Sequence, residues 1–414
     1  MSIANDRDIG EGEDVPATRG IRLIPKTIWA LGFVSLFMDI SSELVHSLMP
    51  IFMVTTLGVS VTAVGAVEGI AEATALLTKI FSGTLSDYLG RRKLLTLIGY
   101  GLAAVTKPLF PLADSLGLVL TSRFLDRIGK GIRGAPRDAL IGDIAPPEIR
   151  GACFGLRQSM DTVGAFIGPL LAMLFLMVFA GDIRAVLWVA VLPAFIAVAI
   201  LAFGVREPET GRPAGAVRVP IRLRELGQFG RPYWWLVAIA GVLTLGRFSE
   251  AFLILKAQAV GLPVVLMPLV MVAMNLVYAL AAYPAGVLSD RTGRMNVLLI
   301  GVASLVAAGI VLAAASGPWL LMLGVSLWGL HLGLSQGLLA AMIADSTPAE
   351  RRGTAFGVFN FVCGIAMLPA SVVAGLLWDR YGSGATFLAG ATFAGIALVG
   401  LAFRGGLRGR KDSA

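Results

Sequence analysis

Arg123, Arg127, Lys130, Arg133 and Arg137 follow one another at steps of four, three, three and four, so on a helix they form a single stripe. A row of guanidinium and ammonium groups can hold carboxylate or phosphate, and arginine can do so bidentately. Acidic groups recur at helical spacing elsewhere: Asp39, Glu43 and His46 at steps of four and three, Glu68 and Glu72 four apart, and Arg157 with Asp161 four apart. Burial raises a carboxylate's pKa and a nearby guanidinium lowers it, so a pair that separates can take up or release a proton. Three readings are open. Asp39, Glu43, Glu68, Glu72 and Asp161 are candidates for carrying protons. Arg123, Arg127, Lys130, His46, Arg157, Arg247 and Glu250 are candidates for binding an anionic or zwitterionic solute. The third reading makes the whole set a structural salt-bridge network. Arg133, Arg137 and Asp138 approach one end of the stripe, where snorkelling to the lipid surface is enough to explain them.

These charges sit in a chain of 414 residues that is 57% hydrophobic and only 14% charged. A soluble protein of that length would need more polar surface, so the bilayer is the expected solvent. Apolar windows of about 20 residues predict twelve spans: 28–54, 61–84, 93–113, 117–142, 152–180, 185–204, 233–260, 263–287, 296–316, 319–343, 354–377 and 384–403. Backbone in hydrocarbon must pair within helices or a closed barrel, and long unbroken apolar runs exclude the barrel. The fold class is therefore an all-α polytopic membrane protein. Basic residues cluster in alternate loops, at Arg91, Arg92 and Lys93, at Arg291 and Arg294, at Arg351 and Arg352, and through 206–231. That bias places both termini in the cytoplasm and also accounts for the net charge of +8, so nucleic acid is not needed as a partner. Residues 1–27 read as a disordered cytoplasmic leader without a cleavable signal. Cys153 and Cys363 fall in different helices and argue for neither a disulfide nor a metal site. Met267, Met271 and Met274 read as gap-filling rather than soft-metal ligands. No cofactor is expected.

The chain repeats itself. "GTLSDYLGRR" at 83 matches "GVLSDRTGRM" at 286, and "DIAPPEIRGACFG" at 143 matches "DSTPAERRGTAFG" at 345. The repeat gives two six-helix bundles, 28–205 and 233–403, joined by a cytoplasmic linker at 206–232 and followed by a tail at 404–414. It also aligns the charged stretch with the apolar helix at 323–342. Parity requires a span there as well, so 117–142 is expected to cross the lipid with its cations turned inward.

With these motifs in place the sequence resembles the major facilitator superfamily of secondary transporters over nearly its whole length. Gly83, Asp87, Gly90, Arg91 and Arg92 match the signature between the second and third helices, and Gly286, Asp290, Gly293 and Arg294 are its second-half copy. Gly155, Gly164, Gly168 and Pro169 resemble the fifth-helix signature of proton-linked drug antiporters, although Ala172 and Met173 stand where its closing glycines would be. The resemblance implies two pseudo-symmetric six-helix bundles around a central cavity. It implies a conformational latch at Asp87, Arg91 and their copies, and alternating access by rocking of the bundles. The expected function is proton-coupled export of a small organic solute by a monomer in the cytoplasmic (inner) membrane. Uptake of an anionic metabolite or metal chelate by symport is the alternative, and a non-transporting membrane sensor is a second one. No nucleophile, base and orienting-residue set supports an enzyme.

Overall fold

The structure, a computed structural model, describes residues 24–89, 91–146, 149–207, 223–348 and 351–409; side chains at 83–84, 87–89, 223–225 and 404–409 are not described. Most of the leader, the linker over 208–222, the last five residues and Gly90 of the signature thus lie outside the described residues. Twelve helices cross in turn among them. They are α1 (Lys26–Thr56), α2 (Val61–Leu89), α3 (Arg92–Leu112), α4 (Leu116–Ile144), α5 (Arg150–Val178) and α6 (Ile183–Gly204), then α7 (Arg231–Ala259), α8 (Val264–Thr292), α9 (Arg294–Ala314), α10 (Pro318–Asp345), α11 (Arg352–Tyr381) and α12 (Ser383–Gly409). Eleven are apolar enough to count as spans on composition alone; α4 is the one that is not, because of its charges. It is nevertheless an unbroken helix of 29 residues packed between α2 and α3, as the repeat and the parity of the loops required.

Small residues make that burial possible. A side chain on Gly131 would meet Thr78 Cβ of α2 at 2.5 Å, and one on Gly129 would meet Gly99 O of α3 at 2.6 Å. Close approach of this kind is how helices associate where lipid removes the hydrophobic drive. Gly99 faces Arg133 N and Gly129 O, both at 2.8 Å from an added Cβ, and backbone atoms cannot swing aside. Gly99→Ala is therefore expected to lower stability by about 1–3 kcal/mol, read as a fall in the thermal midpoint of the purified protein; an unchanged midpoint would contradict the α3–α4 packing.

Five helices depart from the continuous spans expected; α6 is interrupted at Ala190, and α8 opens on a 3-10 turn at Val264–Leu266. α1 ends in a π-helical turn at Phe52–Thr56, and α3 is interrupted at Lys107 and Pro108, where proline withholds its amide. α7 breaks in mid-membrane between Gly246 and Ala251, so the single span expected over 233–260 is two half-helices. Ser371 Oγ accepts from Ser249 N–H at 3.3 Å and Ser249 Oγ from Ala251 N–H at 3.3 Å. Those bonds satisfy amides that the helix no longer serves. Irregular backbone at this depth is tolerated where protein or a hydrated cavity receives it.

The hydrophobic core is divided unequally across the membrane. On the side where α1 ends and α2 begins, one cluster runs through both halves, joining Leu44, Leu48 and Phe52 to Phe252, Leu253 and Trp328. On the side that carries both chain ends, the first half has its own cluster around Ile28, Tyr100 and Leu201, and the second half another around Tyr233, Ile343 and Ala355. The halves are thus welded on one side, called outer below, and parted on the other, called inner.

Candidate functional site

Between the parted halves lies a polar cavity in two adjoining compartments, of about 500 Å³ and about 260 Å³. Glu43, Glu72, Lys130, Ala165 and Asn275 belong to both, so they mark the junction. The larger compartment runs toward the inner side past Lys79, Asp138, Arg157 and Asp161, and the smaller reaches the break in α7 at Arg247, Phe248, Ser249 and Glu250.

The stripe on α4 divides into three parts by what each residue meets. Arg123 and Arg127 face α2 and pair with Glu68 and Glu72, the second pair at 3.3 Å. The identical four-residue step on both helices lets the rungs form together. The Arg123–Glu68 rung is closed off completely, with 1% and 0% of the two side chains exposed, so Arg123 stands behind the cavity wall rather than in it. Lys130 is exposed into both compartments and makes no ion pair or hydrogen bond among the described residues. Arg133 lies over the Tyr100 ring at 4.7 Å. Arg137 does not snorkel: its Nη1 donates to Ser35 Oγ at 3.0 Å and to Tyr100 Oη at 3.2 Å, and its Nε to Asp138 Oδ1 at 3.2 Å. Within the same stripe, three residues after Arg123 and four before Lys130, buried Asp126 accepts from Lys107 Nζ at 2.9 Å. That pair fixes α4 to α3 at the proline interruption.

The acidic residues of α1 owe their places to α5. An added Cβ on Gly164 would lie 2.7 Å from Leu36 O, and one on Gly168 2.8 Å from Ile40 O, so these two glycines of the fifth-helix signature bring α5 against the α1 backbone beside Asp39 and Glu43. Gly155 has open space around it and Pro169 is buried within the helix. Glu43 accepts from His46 Nδ1 at 3.4 Å, and Asp161 from Arg157 Nη1 at 2.6 Å. Asp39 lines the larger compartment without an ion pair or hydrogen bond among the described residues. The same holds for Arg247 and Glu250 in the smaller one; Glu250 sits at the N-cap of the second half of α7 without capping it. Of the residues named as proton carriers or solute ligands, all but Glu68 and Arg123 line the cavity. Lys79, Asn275, Tyr278 and Gln336 complete its wall without having been foreseen. Lys79 follows Glu72 by seven residues and Tyr278 follows Asn275 by three, so helical spacing could have found them; Gln336 carries no such signal.

At the inner ends, Arg92 pairs with Asp143 and donates to Ala139 O at 2.7 Å, while Arg294 pairs with Asp345. Each half thus ties the base that opens its third helix to the acid that closes its fourth. Glu207 Oε1 also accepts from Arg92 N–H at 2.6 Å, which caps α3. Arg91 and Asp290 are exposed, Gly286 has open space, and Gly293 turns the chain at φ +89°, a value only glycine holds without strain. Asp87 and Gly83 fall among the side chains not described. Asp143 and Asp345 were not proposed as latch residues, yet both open the repeated segments quoted above.

The cavity lies between two pseudo-equivalent bundles, and comparison with known proteins identifies that architecture. The chain is 32% identical over 384 residues to "Uncharacterized MFS-type transporter MJ1317" of Methanocaldococcus jannaschii, covering 90% of this chain and 93% of that protein. It is 24% identical to "Inner membrane transport protein YajR" of Escherichia coli, covering 90% and 82%. Its fold is similar to the crystal structure of the nucleoside transporter NupG, with TM-score 0.73 at 14% identity over 91% and 98% of the two chains. It is also similar to a bacterial homolog of the human lysosomal transporter Spinster in an inward-facing and unoccupied conformation, with TM-score 0.72 at 15% identity over 91% and 95%. The Major Facilitator Superfamily model matches residues 31–370, and with two six-helix bundles parted around a charged cavity this chain belongs to that superfamily of secondary transporters.

Proposed function

We propose that the chain is a proton-coupled exporter of a small, charged organic solute, working as a monomer in the cytoplasmic membrane with its inner side toward the cytoplasm. The observation that carries this reading is a set of charges that line the two compartments without an ion pair among the described residues: Lys130 and Asp39 from the first half, Arg247 and Glu250 from the second. A charge left without a partner inside a membrane is costly, and closing the cavity over these four would raise that cost. A solute carrying an anionic group for Lys130 or Arg247, or a cationic group for Glu250, relieves it. So does a proton on Asp39. Loading and closure are thereby linked, which is what coupled transport requires.

Orientation rests on the bases at the inner ends, Arg91, Arg92, Arg291, Arg294, Arg351 and Arg352, against Arg184 and Arg380 at the outer ends. Glu43 and Glu72 already have basic partners, so separation of those pairs supplies further proton sites. Protein reconstituted into proteoliposomes, with a solute found by thermal-shift screening at two pH values, tests the reading. Asp39→Asn and Glu43→Gln are each expected to abolish proton-driven flux while leaving solute binding measurable. Undiminished coupling in both variants would remove the proton carriers. The direction of the gradient that drives accumulation in inside-out vesicles separates export from uptake symport.

A further inference from the structure

Helix α2 begins at Val61 on the outer side, and its first amides have no carbonyl of their own helix to meet. Ser60 Oγ accepts from Ala63 N–H at 3.2 Å. The two amides before it are taken by a carboxylate of the opposite half. Asp379 Oδ1 accepts from Val61 N–H at 3.2 Å, and its Oδ2 accepts from Thr62 N–H at 2.8 Å and from Thr62 Oγ1 at 2.6 Å. Asp379 stands in the last turn of α11, where its own helix dipole disfavours an acid, whereas the positive end of α2 favours one. The carboxylate is thus better placed for its neighbour across the interface than for the helix that bears it.

Beneath these bonds the two helices touch backbone to backbone. An added Cβ would lie 2.6 Å from Thr62 Cα at Gly375, and 2.2 Å from Ser371 O at Gly65. A seam with no side chains between its backbones has little room to slide, so it is either closed or apart. The pseudo-equivalent seam, α5 against α8, ends in the apolar run Leu174–Val178 and offers no acid in that position. Its signature glycines, Gly164 and Gly168, are spent on α1.

We propose that Asp379 is the positioning residue of the closed outer side. Its carboxylate caps α2 from the other half, must let go before the cavity can open outward, and so sets how the carrier divides between its inward-open and outward-open forms. This rests on the alternating-access reading above. The size expected is that of an N-cap, about ten-fold in the ratio of the two forms.

The test measures distances between spin labels in the full chain in lipid nanodiscs, with Cys153→Ala and Cys363→Ala to remove native thiols. One label pair, at Thr56→Cys and Trp319→Cys, reads the outer side; another, at Gly151→Cys and Gly353→Cys, reads the inner side. Asp379→Ala is expected to add a longer outer distance and a shorter inner one, with Asp379→Asn, which keeps one carbonyl acceptor, in between. Thr62→Val removes one donor without touching the acid and is expected to move the same way by less. Gly65→Trp, or Gly69→Trp should that not fold, is the control, since neither can close against α11. If the control opens the outer side and Asp379→Ala and Thr62→Val leave both distributions unchanged, the lock is refuted and alternating access stands. If the control also leaves both pairs unmoved, alternating access itself fails.

Discussion

Arg123→Ala is expected to leave the chain unfolded or barely folded in the membrane. The guanidinium and its partner Glu68 are 1% and 0% exposed, and removing one leaves the other charged, dry and alone. Breaking a buried pair in this way destabilises by about 3–5 kcal/mol, a large share of the ~5–15 kcal/mol that separates folded from unfolded protein. The rung is already only partly satisfied, because Glu68 Oε1 and Arg123 Nε have no hydrogen-bond partner among the described residues. Thermal unfolding followed by size-exclusion chromatography reads the loss. Arg123→Met combined with Glu68→Leu replaces the pair with apolar groups of similar size and is expected to recover most of the stability. A single variant that melts with the native protein would mean that the pair does not hold α2 to α4.

Lys130→Met is expected to do the reverse: full stability, little transport. Its ammonium reaches open cavity and makes no ion pair or hydrogen bond among the described residues, so the fold should change by less than about 0.5 kcal/mol, as for surface substitutions. Losing a charge-assisted hydrogen bond to a solute is worth about 1.5–3 kcal/mol, which is roughly a ten- to 150-fold fall in apparent affinity. Binding and uptake of any solute carried by the native protein measure it. A variant that carries that solute with native affinity would take Lys130 out of the binding site. The contrast with Arg123, seven residues earlier on the same stripe, is the sharpest consequence of how α4 is packed.

Much of this was legible in the sequence. Apolar windows predicted all twelve spans, and the repeat together with loop parity kept α4 among them, although its charges set it apart from the eleven helices apolar enough to count on composition alone. Helical spacing placed Glu68 and Glu72 on one face of α2, and the matching four-residue step on α4 lets that face meet Arg123 and Arg127. What spacing could not say is which cation of a stripe finds a partner. Arg123, Arg127 and Lys130 look alike in sequence, and only the close approach at Gly131 and Gly129 turns the first two toward α2 and leaves the third in the cavity. The break in α7 was hidden for a related reason: only Gly246 marks it, glycine is ordinary in membrane helices, and the side chain that rescues the amide of Ser249 is Ser371, 122 residues away. Asp379 lay in a segment that reads as an ordinary helix end, and its partners are 317 and 318 positions distant.

The central claim is that the charged face of α4 lines a hydrated passage open to one side of the membrane at a time. In a chain with Cys153→Ala and Cys363→Ala, Lys130→Cys is exposed to a membrane-impermeant maleimide applied to oriented vesicles from each face. The account predicts labelling from the cytoplasmic face alone, and from the opposite face once Gly65→Trp holds the outer seam apart. Labelling from neither face, or from both regardless of Gly65, would contradict it.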